Sequence, residues 1–501
     1  MSSEMAIAAA LGLPLGAAFG IMLAGRWPNL REGVTIIASV LAFGAVLSLL
    51  PEVLAGARPG LSLVEVIPGV ALAFEVEPLG MLYALVASGL WIPTALYAIG
   101  YCRGNGEENQ TRFFACFALA IFAALGIAFA RNLFTLFLFY EILTLSTYPL
   151  VTHYGNDEAR RAGRTYLGIL LTTSILFFLL AIVWTWHLSG TLEFSPGGIL
   201  AGRVEGPMVA VLLALYAFGT GKAALMPFHR WLPAAMVAPT PVSALLHAVA
   251  IVKAGVFTIM KVIVYVFGID FLADTGASLW LMYAAAFTLI AAAVIALSKD
   301  NLKARLAYST ISQLAYIVLG GALATATGVF GSGMHIAMHA MGKITLFFCA
   351  GAIFLASRKK NVSEMDGLGR SMPFTLTAFF LGSMSIIGLP PTGGAWSKWY
   401  LALGAAEGHH AVFVAVLMVS SLLSVGYLMP VVGRAFFFPP SSTEPRASQA
   451  DGISGNRYWS TLNEAPLLCV IPLCATALGC VLLFIYAPEV LKLLESMSLG
   501  R

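Results

Sequence analysis

The sequence predicts an all-α polytopic membrane protein with about fourteen transmembrane helices, and three observations carry that prediction. The first is composition: of 501 residues 59% are hydrophobic and only 10% charged, against roughly 25% charged in soluble domains, which excludes a soluble globular protein. The second is periodic length, because apolar runs of about 20 residues, enough to cross the hydrocarbon core, recur along the whole chain. The third is the sorting of basic residues. Most of the 28 lysines and arginines fall in one set of alternate loops, Arg26, Arg31, Arg103, Arg112, Arg160, Arg161, Lys299, Lys303, Arg358, Lys359, Lys360 and Arg434 among them. The other set, with the C-terminus, holds Arg58, Arg131, Arg203, Lys492 and Arg501. One helix more or fewer scrambles this sorting. By the inner-side preference of basic residues, both termini are expected outside a cell inner (cytoplasmic) membrane.

In order, the predicted spans run roughly over 5–25, 33–54 and 79–101, a three-helix N-terminal region within 1–111. Spans 112–130, 132–153, 163–187, 207–229 and 240–268 form a first group of five, the input half (112–268). Spans 277–298, 304–325, 328–357, 372–404 and 409–436 form a second, the output half (277–436). A polar cytoplasmic linker (437–463) precedes a last span, 464–485, whose short tail (to 501) reads as interfacial. Residues 61–77, LSLVEVIPGVALAFEVE, are too interrupted and acidic to span and read as an extended external segment. The apolar start carries Glu4 and no basic leader, which fits a first span better than a cleaved signal peptide. Six cysteines without CxxC spacing read as small buried hydrophobes rather than disulfide, metal or iron–sulfur ligands.

Charges inside the spans are the unusual feature, because an intramembrane charge or a broken helix is costly unless something satisfies it. Both occur in the stretch FGTGKAALMPFHRWLPAAMVAPTPVSALLHAVAIVK, residues 218–253. It holds Lys222 and Lys253 in apolar surroundings, and Pro227 should break the seventh span close to Lys222. Among 24 acidic residues only Glu141 sits well inside a span. It reads either as a static buried ion pair or protonated acid, or as part of an ion path; several intramembrane lysines favour the path. Lys253 and His247 share the eighth span six positions apart and so point to different faces, able to contact different neighbours. Lys261, nearer the outer end, reads as a snorkelling lysine.

In the eleventh span His335, His339 and Lys343 recur every four residues and line one face over about 12 Å. Histidine both accepts and donates near neutrality, which suits a proton relay. An i,i+4 histidine pair also suits a metal, but no third carboxylate or cysteine ligand is evident, so the relay is preferred and no metal is expected. The twelfth span contains GLPPTGG, in which Pro390 and Pro391 should break the helix, with Lys398 about one turn beyond. Broken helices that hold a titratable group are a recurrent transporter device. Breaks in spans 7 and 12 lie five spans apart, which suggests two inverted five-helix repeats, spans 4–8 and 9–13.

These stretches make the chain resemble the antiporter-like subunits shared by Mrp-type sodium/proton antiporters, respiratory complex I and membrane-bound hydrogenases. The matching segments are FYEILTLSTYPL, GKAALMPFHRWLPAAMVAPTPVSALLHAVAIVKAG, SKDNLKARLAYSTISQLAYI, HIAMHAMGKITLFFCAG and GLPPTGGAWSKW. The resemblance implies that Glu141 and Lys222 are a coupling pair, and that Lys253 with His247 is the central link. It further implies that His335, His339 and Lys343 continue a hydrated axis, with Lys398 the terminal lysine. Length and the VKAG of the eighth span look most like the D-type subunit of Mrp complexes. The expected role is a proton-translocating subunit of a multi-subunit Na+/H+ antiporter, with other membrane subunits as partners and H+, and Na+ for the complex, as ions. The alternatives are a proton-pumping membrane-arm subunit of a redox complex, and the membrane partner of an inorganic-carbon uptake system. No flavin, haem, iron–sulfur or nucleotide motif is recognisable, so no cofactor is expected in this chain.

Overall fold

Where the sequence runs apolar without clustered Pro and Gly, it folds as helix, and where those clusters fall the helices stop. The computed structural model describes residues 2–245, 249–439, 462–497 and 499. Helices α1 (Ser3–Leu23) and α2 (Pro28–Leu54) pack against each other, the first capped by the Ser2 hydroxyl and the second opened by a proline at its first position. Next comes an antiparallel hairpin, β1 (Gly60–Ile67) and β2 (Val70–Glu75), with Gly60 opposite Glu75. The strand β2 docks on the chain that follows: the Ala73 N–H donates to Thr135 Oγ1 at 3.1 Å, and Asn132 Nδ2 donates to Ala71 O at 2.8 Å. Residues 61–77, expected extended, thus lie largely in the one sheet found among the described residues.

Helix α3 (Pro78–Asn105) is capped by Glu77, and α4 (Gln110–Ala128) pairs with α5 (Leu133–Val151), which Asn132 caps. Then α6 (Asp157–Thr173) passes through a π-helical turn, Ser174–Phe178, into α7 (Leu179–Ser189). After α8 (Pro207–Gly219) regular helix ends, and short pieces follow, α9 (Trp231–Ala234) and α10 (Thr240–Ala244). Helix α11 (Ile251–Lys261) runs through π-helical Val262–Phe267 to α12 (Ile269–Thr275), bent from it by 79°. Gly268 makes that corner at φ +86°, where an added Cβ would lie 2.1 Å from Gly197 O.

Helix α13 (Leu279–Ser298) packs along α14 (Leu302–Ala322), which leads to α15 (Ala326–Ser357), buried over most of its length. Around α15 lie α3, α14, α16 (Pro373–Ile387), α17 (Gly394–Glu407) and α19 (Leu467–Ile485). A helix that is apolar all round belongs in such a centre, and α15 is apolar except for one stripe. The remaining elements are α18 (Ala411–Phe437), on α13 and α16, and the amphipathic α20 (Ala487–Glu495), which follows α19 and buries Leu493 and Leu494.

Each predicted span contains helical residues, in whole or in part. Among the described residues, ten helices are long and apolar enough to cross a membrane, or eleven if the bent pair counts as one span. The rest are interrupted, like α8 and α16–α17, or polar, like α14 with Lys303, Arg305, Ser309 and Gln313. Two predicted spans differ in detail. The seventh was expected to reach 229 with Lys222 ahead of its break, but helix stops at Gly219 and Lys222 lies within the interruption. Close approach explains this: an added Cβ at Gly219 would sit 2.4 Å from Phe178 N, and one at Gly221 2.3 Å from Thr173 Oγ1. The eighth is divided into α10 and α11, and His247 between them lies outside the described residues, as does most of the polar linker. Both predicted breaks contain a cis X-Pro bond, Met226–Pro227 and Pro390–Pro391.

Gly255 of α11 is the tightest contact on the first interruption, since an added Cβ would meet Ala223 N at 2.2 Å and Lys222 C at 2.3 Å. Gly255→Ala is therefore expected to destabilise the protein by about 1–3 kcal/mol, as overpacking does. Gly12→Ala, with nothing within 4 Å of the new methyl, should not. Thermal unfolding of the two detergent-solubilised variants checks this, and equal melting temperatures would refute it.

Candidate functional site

The buried cations are positioned by helix ends and by hydroxyl-bearing faces. Lys222 is fully buried. Its Nζ donates to Tyr140 O at 2.9 Å and to Thr144 Oγ1 at 2.6 Å, and lies 3.1 Å from the Tyr140 ring centroid. Its backbone N–H donates to Tyr140 OH at 3.1 Å, and Trp231 Nε1 donates to Gly221 O at 2.9 Å. The interruption is thus held from both sides.

Tyr140 and Thr144 share one face of α5, and Glu141 is turned about 100° from it. No salt bridge closes between Glu141 and Lys222; both carboxylate oxygens of Glu141 are buried without a hydrogen-bond donor among the described residues. The neighbours on the Glu141 face, Leu138 and Leu145, are 38% and 57% exposed. Glu141 therefore stands at the edge between the lysine-facing side of α5 and its outward side. A buried carboxylate without donors is costly as an anion, so the pair has an energetic reason to rearrange.

The second group is contiguous. Lys253, fully buried, has its Nζ against His339 Nδ1. The His335 and His339 rings are stacked, 5.8 Å between centroids and 13° between planes. His335 bonds at both nitrogens, Nδ1 to Ser397 Oγ at 2.9 Å and Nε2 to Gln313 Oε1 at 3.1 Å, and its ring lies 5.4 Å from that of Tyr316. One turn beyond His339, Lys343 Nζ donates to Ser309 Oγ at 2.6 Å and Leu306 O at 3.2 Å. Lys398 Nζ donates to Ile387 O and Ser421 Oγ, both at 3.0 Å, and to Tyr316 OH at 3.4 Å. The Ile387 carbonyl is free because α16 ends there, with Gly388 at φ +92°. The broken helix thus supplies its own lysine with an acceptor.

The structure therefore joins Lys253, His339, His335 and Lys398 through Ser397, Gln313 and Tyr316. Lys222 and Lys253 are joined differently, by the packing of Gly255 on the Lys222 backbone. With both His335 nitrogens engaged and His339 Nδ1 on a lysine, the pair does not present two free nitrogens to a metal. Sequence reasoning did not single out Thr144, Ser309, Gln313, Tyr316 or Ser421. Ser309, Gln313 and Tyr316 recur at i, i+4 and i+7 on α14, a polar stripe on a buried helix that periodicity alone reveals. Lys261 corrects an expectation. It does not snorkel; it is 1% exposed, 3.6 Å from Glu77 Oε1, because the hairpin and the start of α3 cover the end of α11.

Gln313 is the joint with the clearest chemistry. Its Oε1 faces His335 Nε2 and its amide nitrogen is buried without a hydrogen-bond partner among the described residues, so a flip of the amide serves either tautomer of the ring. Gln313→Leu is expected to lower proton movement by about tenfold with little change in melting temperature. Vesicle transport compared with thermal unfolding checks it, and unaltered transport would remove Gln313 from the path.

Residues 130–424 match the family described as NADH:quinone oxidoreductase/Mrp antiporter, TM. NADH-quinone oxidoreductase subunit N of Desulforudis audaxviator (strain MP104C) is 32% identical over 461 residues, covering 91% of this chain and 90% of that protein. A component of a probable K(+)/H(+) antiporter from Rhizobium meliloti (strain 1021) is 32% identical over 391 residues, 75% of this chain but only 38% of that longer protein. In backbone, the chain is similar to one in the structure of the Mrp complex from Dietzia sp. DQ12-45-1b, with a TM-score of 0.87 at 22% identity, over 99% of this chain and 97% of the other. The relatives are subunits of larger membrane assemblies, and this chain is a multi-pass membrane subunit belonging to the NADH:quinone oxidoreductase/Mrp antiporter family.

Proposed function

We propose that the chain is the proton-translocating subunit of a multi-subunit monovalent cation/proton antiporter. Protons would move along Glu141, Lys222, His247, Lys253, His335, His339, Lys343 and Lys398. The observation that carries this reading is the row from Lys253 to His339, across the stacked rings to His335 and by Tyr316 to Lys398, with Gln313 and Ser397 bonded to His335, all of them groups that can form hydrogen bonds along it. A cavity of about 480 Å³ supports an inlet. It is lined by Tyr101, Thr240, Lys303, Ala350 and Lys360 on the face that carries most basic loops. Ala350 lies seven residues past Lys343 on α15, within about 20° of the same stripe.

The mechanism is electrostatic. With Lys222 paired to Glu141 its charge is held and its proton retained. With the pair open, as the geometry at Tyr140 and Thr144 has it, Lys222 feels the next cation, Lys253, and proton release is favoured. Unit charges 4 Å apart interact by about 4 kcal/mol even at an effective dielectric near 20. Moving a proton through 100 mV involves about 2.3 kcal/mol, so rearranging one pair suffices to gate transfer. The two breaks, at Lys222 and ahead of Lys398, support two inverted five-helix repeats within a fourteen-span chain whose halves divide near residues 268–277. The basic-loop bias supports a cytoplasmic membrane with both termini outside.

The second reading, a proton-pumping membrane-arm subunit of a complex I-like assembly, is favoured by the end-to-end match to an NADH-quinone oxidoreductase subunit. Glu141→Ala and Lys222→Ala in inverted vesicles are each expected to lower cation-driven pH changes at least about tenfold. Full activity in both would sink the proton-path reading. Subunits that co-purify with the native assembly separate the two complexes: small membrane subunits alone support the antiporter, and flavin or iron–sulfur subunits the redox enzyme.

A further inference from the structure

Lys261 has no part in the row described above, although it shares α11 with Lys253 and lies eight positions on, an axial rise of about 12 Å. Its Nζ donates to Ala130 O at 2.5 Å, lies 3.6 Å from Glu77 Oε1 and 4.5 Å from the Phe194 ring centroid. Glu77 accepts from the N–H groups of Leu79 at 2.7 Å and Gly80 at 2.8 Å, and from Tyr265 OH at 2.8 Å. Against this pair lies a cavity of about 10 Å³, lined also by Arg58, Glu75, Arg131 and Tyr265. That is room for about one water. Beyond it Arg131 pairs with Glu75 at 3.9 Å and Glu193 at 3.2 Å, all three partly exposed on the hairpin face. Toward the interior, Thr258 stands on α11 between the two lysines in sequence, its hydroxyl buried and without a hydrogen-bond partner among the described residues. Beside it on the same helix, Phe257 packs on Tyr83, 4.9 Å between ring centroids.

We propose that Lys261 and Glu77 form a second proton-release site, an outlet on the hairpin face served by Lys253 and separate from Lys398. The proposal rests on the proton-path reading above. A proton leaving Lys253 passes through water and the Thr258 hydroxyl to the Lys261 amine, which holds it as ammonium. The ammonium then gives the proton to the water beside Glu77, whose carboxylate is the fixed counter-charge. Each step breaks one N–H or O–H bond and forms another, and no electrons are transferred. The charged and titratable groups that face this lysine and its cavity are Glu77 and Glu75 before α3, Tyr265 after α11, Arg58 before β1, and Arg131 with Glu193 from the flanking loops.

The pair also ties the start of α3 to the end of α11, and a tie requires only a cation. An outlet requires a cation that releases its proton, which lysine does and arginine does not. The test uses the complete assembly in sealed inverted vesicles, with cation-driven proton movement read by a pH dye. Lys261→Arg and Lys261→Met should both assemble, and each should lose about half the proton flow. Lys398→Ala should leave a residual flow that Lys261→Arg abolishes in the double variant. Wild-type rates in Lys261→Arg with loss only in Lys261→Met would reduce the pair to a tie and overturn the outlet. If Lys261→Arg fails to assemble, Thr258→Val decides: lowered flow at an unchanged melting temperature supports the outlet, and an unchanged flow overturns it. Glu141→Ala and Lys222→Ala run alongside. If they lose transport while the Lys261 and Thr258 variants keep it, only the outlet fails; if all keep it, the proton-path reading fails as well.

Discussion

A charge cannot rest in hydrocarbon without polar atoms around it, and the arrangement of this protein follows from meeting that condition for five lysines. Lys222 takes a carbonyl and a hydroxyl from α5, Lys343 the same pair of groups from α14, and Lys398 the end of a broken helix. Lys253 takes a histidine, and among the described residues only Lys261 of the five lies against a carboxylate within ion-pair distance. Neutral acceptors satisfy hydrogen-bonding capacity but leave the charge uncancelled. Cations so placed therefore act on one another: at about 12 Å and an effective dielectric of 20, two of them interact by roughly 1.4 kcal/mol, a tenfold bias in an equilibrium. Strong enough to bias a neighbour and too weak to lock it, such spacing suits transfer along a row.

The helix interruptions serve the same condition. A continuous helix consumes its carbonyls internally, so it has none to offer a lysine. Ending α8 at Gly219 and α16 at Ile387 exposes backbone within the protein, where Trp231 and Lys398 use it. Glycines at 219 and 255 let neighbouring backbones approach, and Gly221 admits the Thr173 side chain, closely enough to seal the first interruption against lipid. The breaks are thus sources of polar groups rather than lapses in helix formation.

Much of this was legible in the sequence because it depends on composition and period. Apolar runs located the helices, and Pro227, Pro390 and Pro391 marked the interruptions. The four-residue repeat of His335, His339 and Lys343 placed them on one face, as the contacts of α15 with Lys253, Gln313, Ser397 and Ser309 have it. The rest depended on tertiary contacts between distant segments. That Lys222 would bond Tyr140 and Thr144 rather than Glu141 follows from a rotation of α5 that no local pattern encodes. That Lys261 would be covered rather than snorkelling depends on a hairpin two hundred residues away in sequence. His247 lies beyond what the structure describes.

The parallel stacking of His335 on His339 has a kinetic consequence. Imidazoles hydrogen-bond in the plane of the ring, so two rings lying face to face, 13° from parallel, cannot hand a proton directly to each other. Passage between them requires a ring to rotate or a water to enter beside the stack, and buried side chains turn only as fast as their packing allows. That makes the stack a rotor rather than a wire, and the turning of one imidazole sets an upper bound on how fast the two ends of the row can communicate.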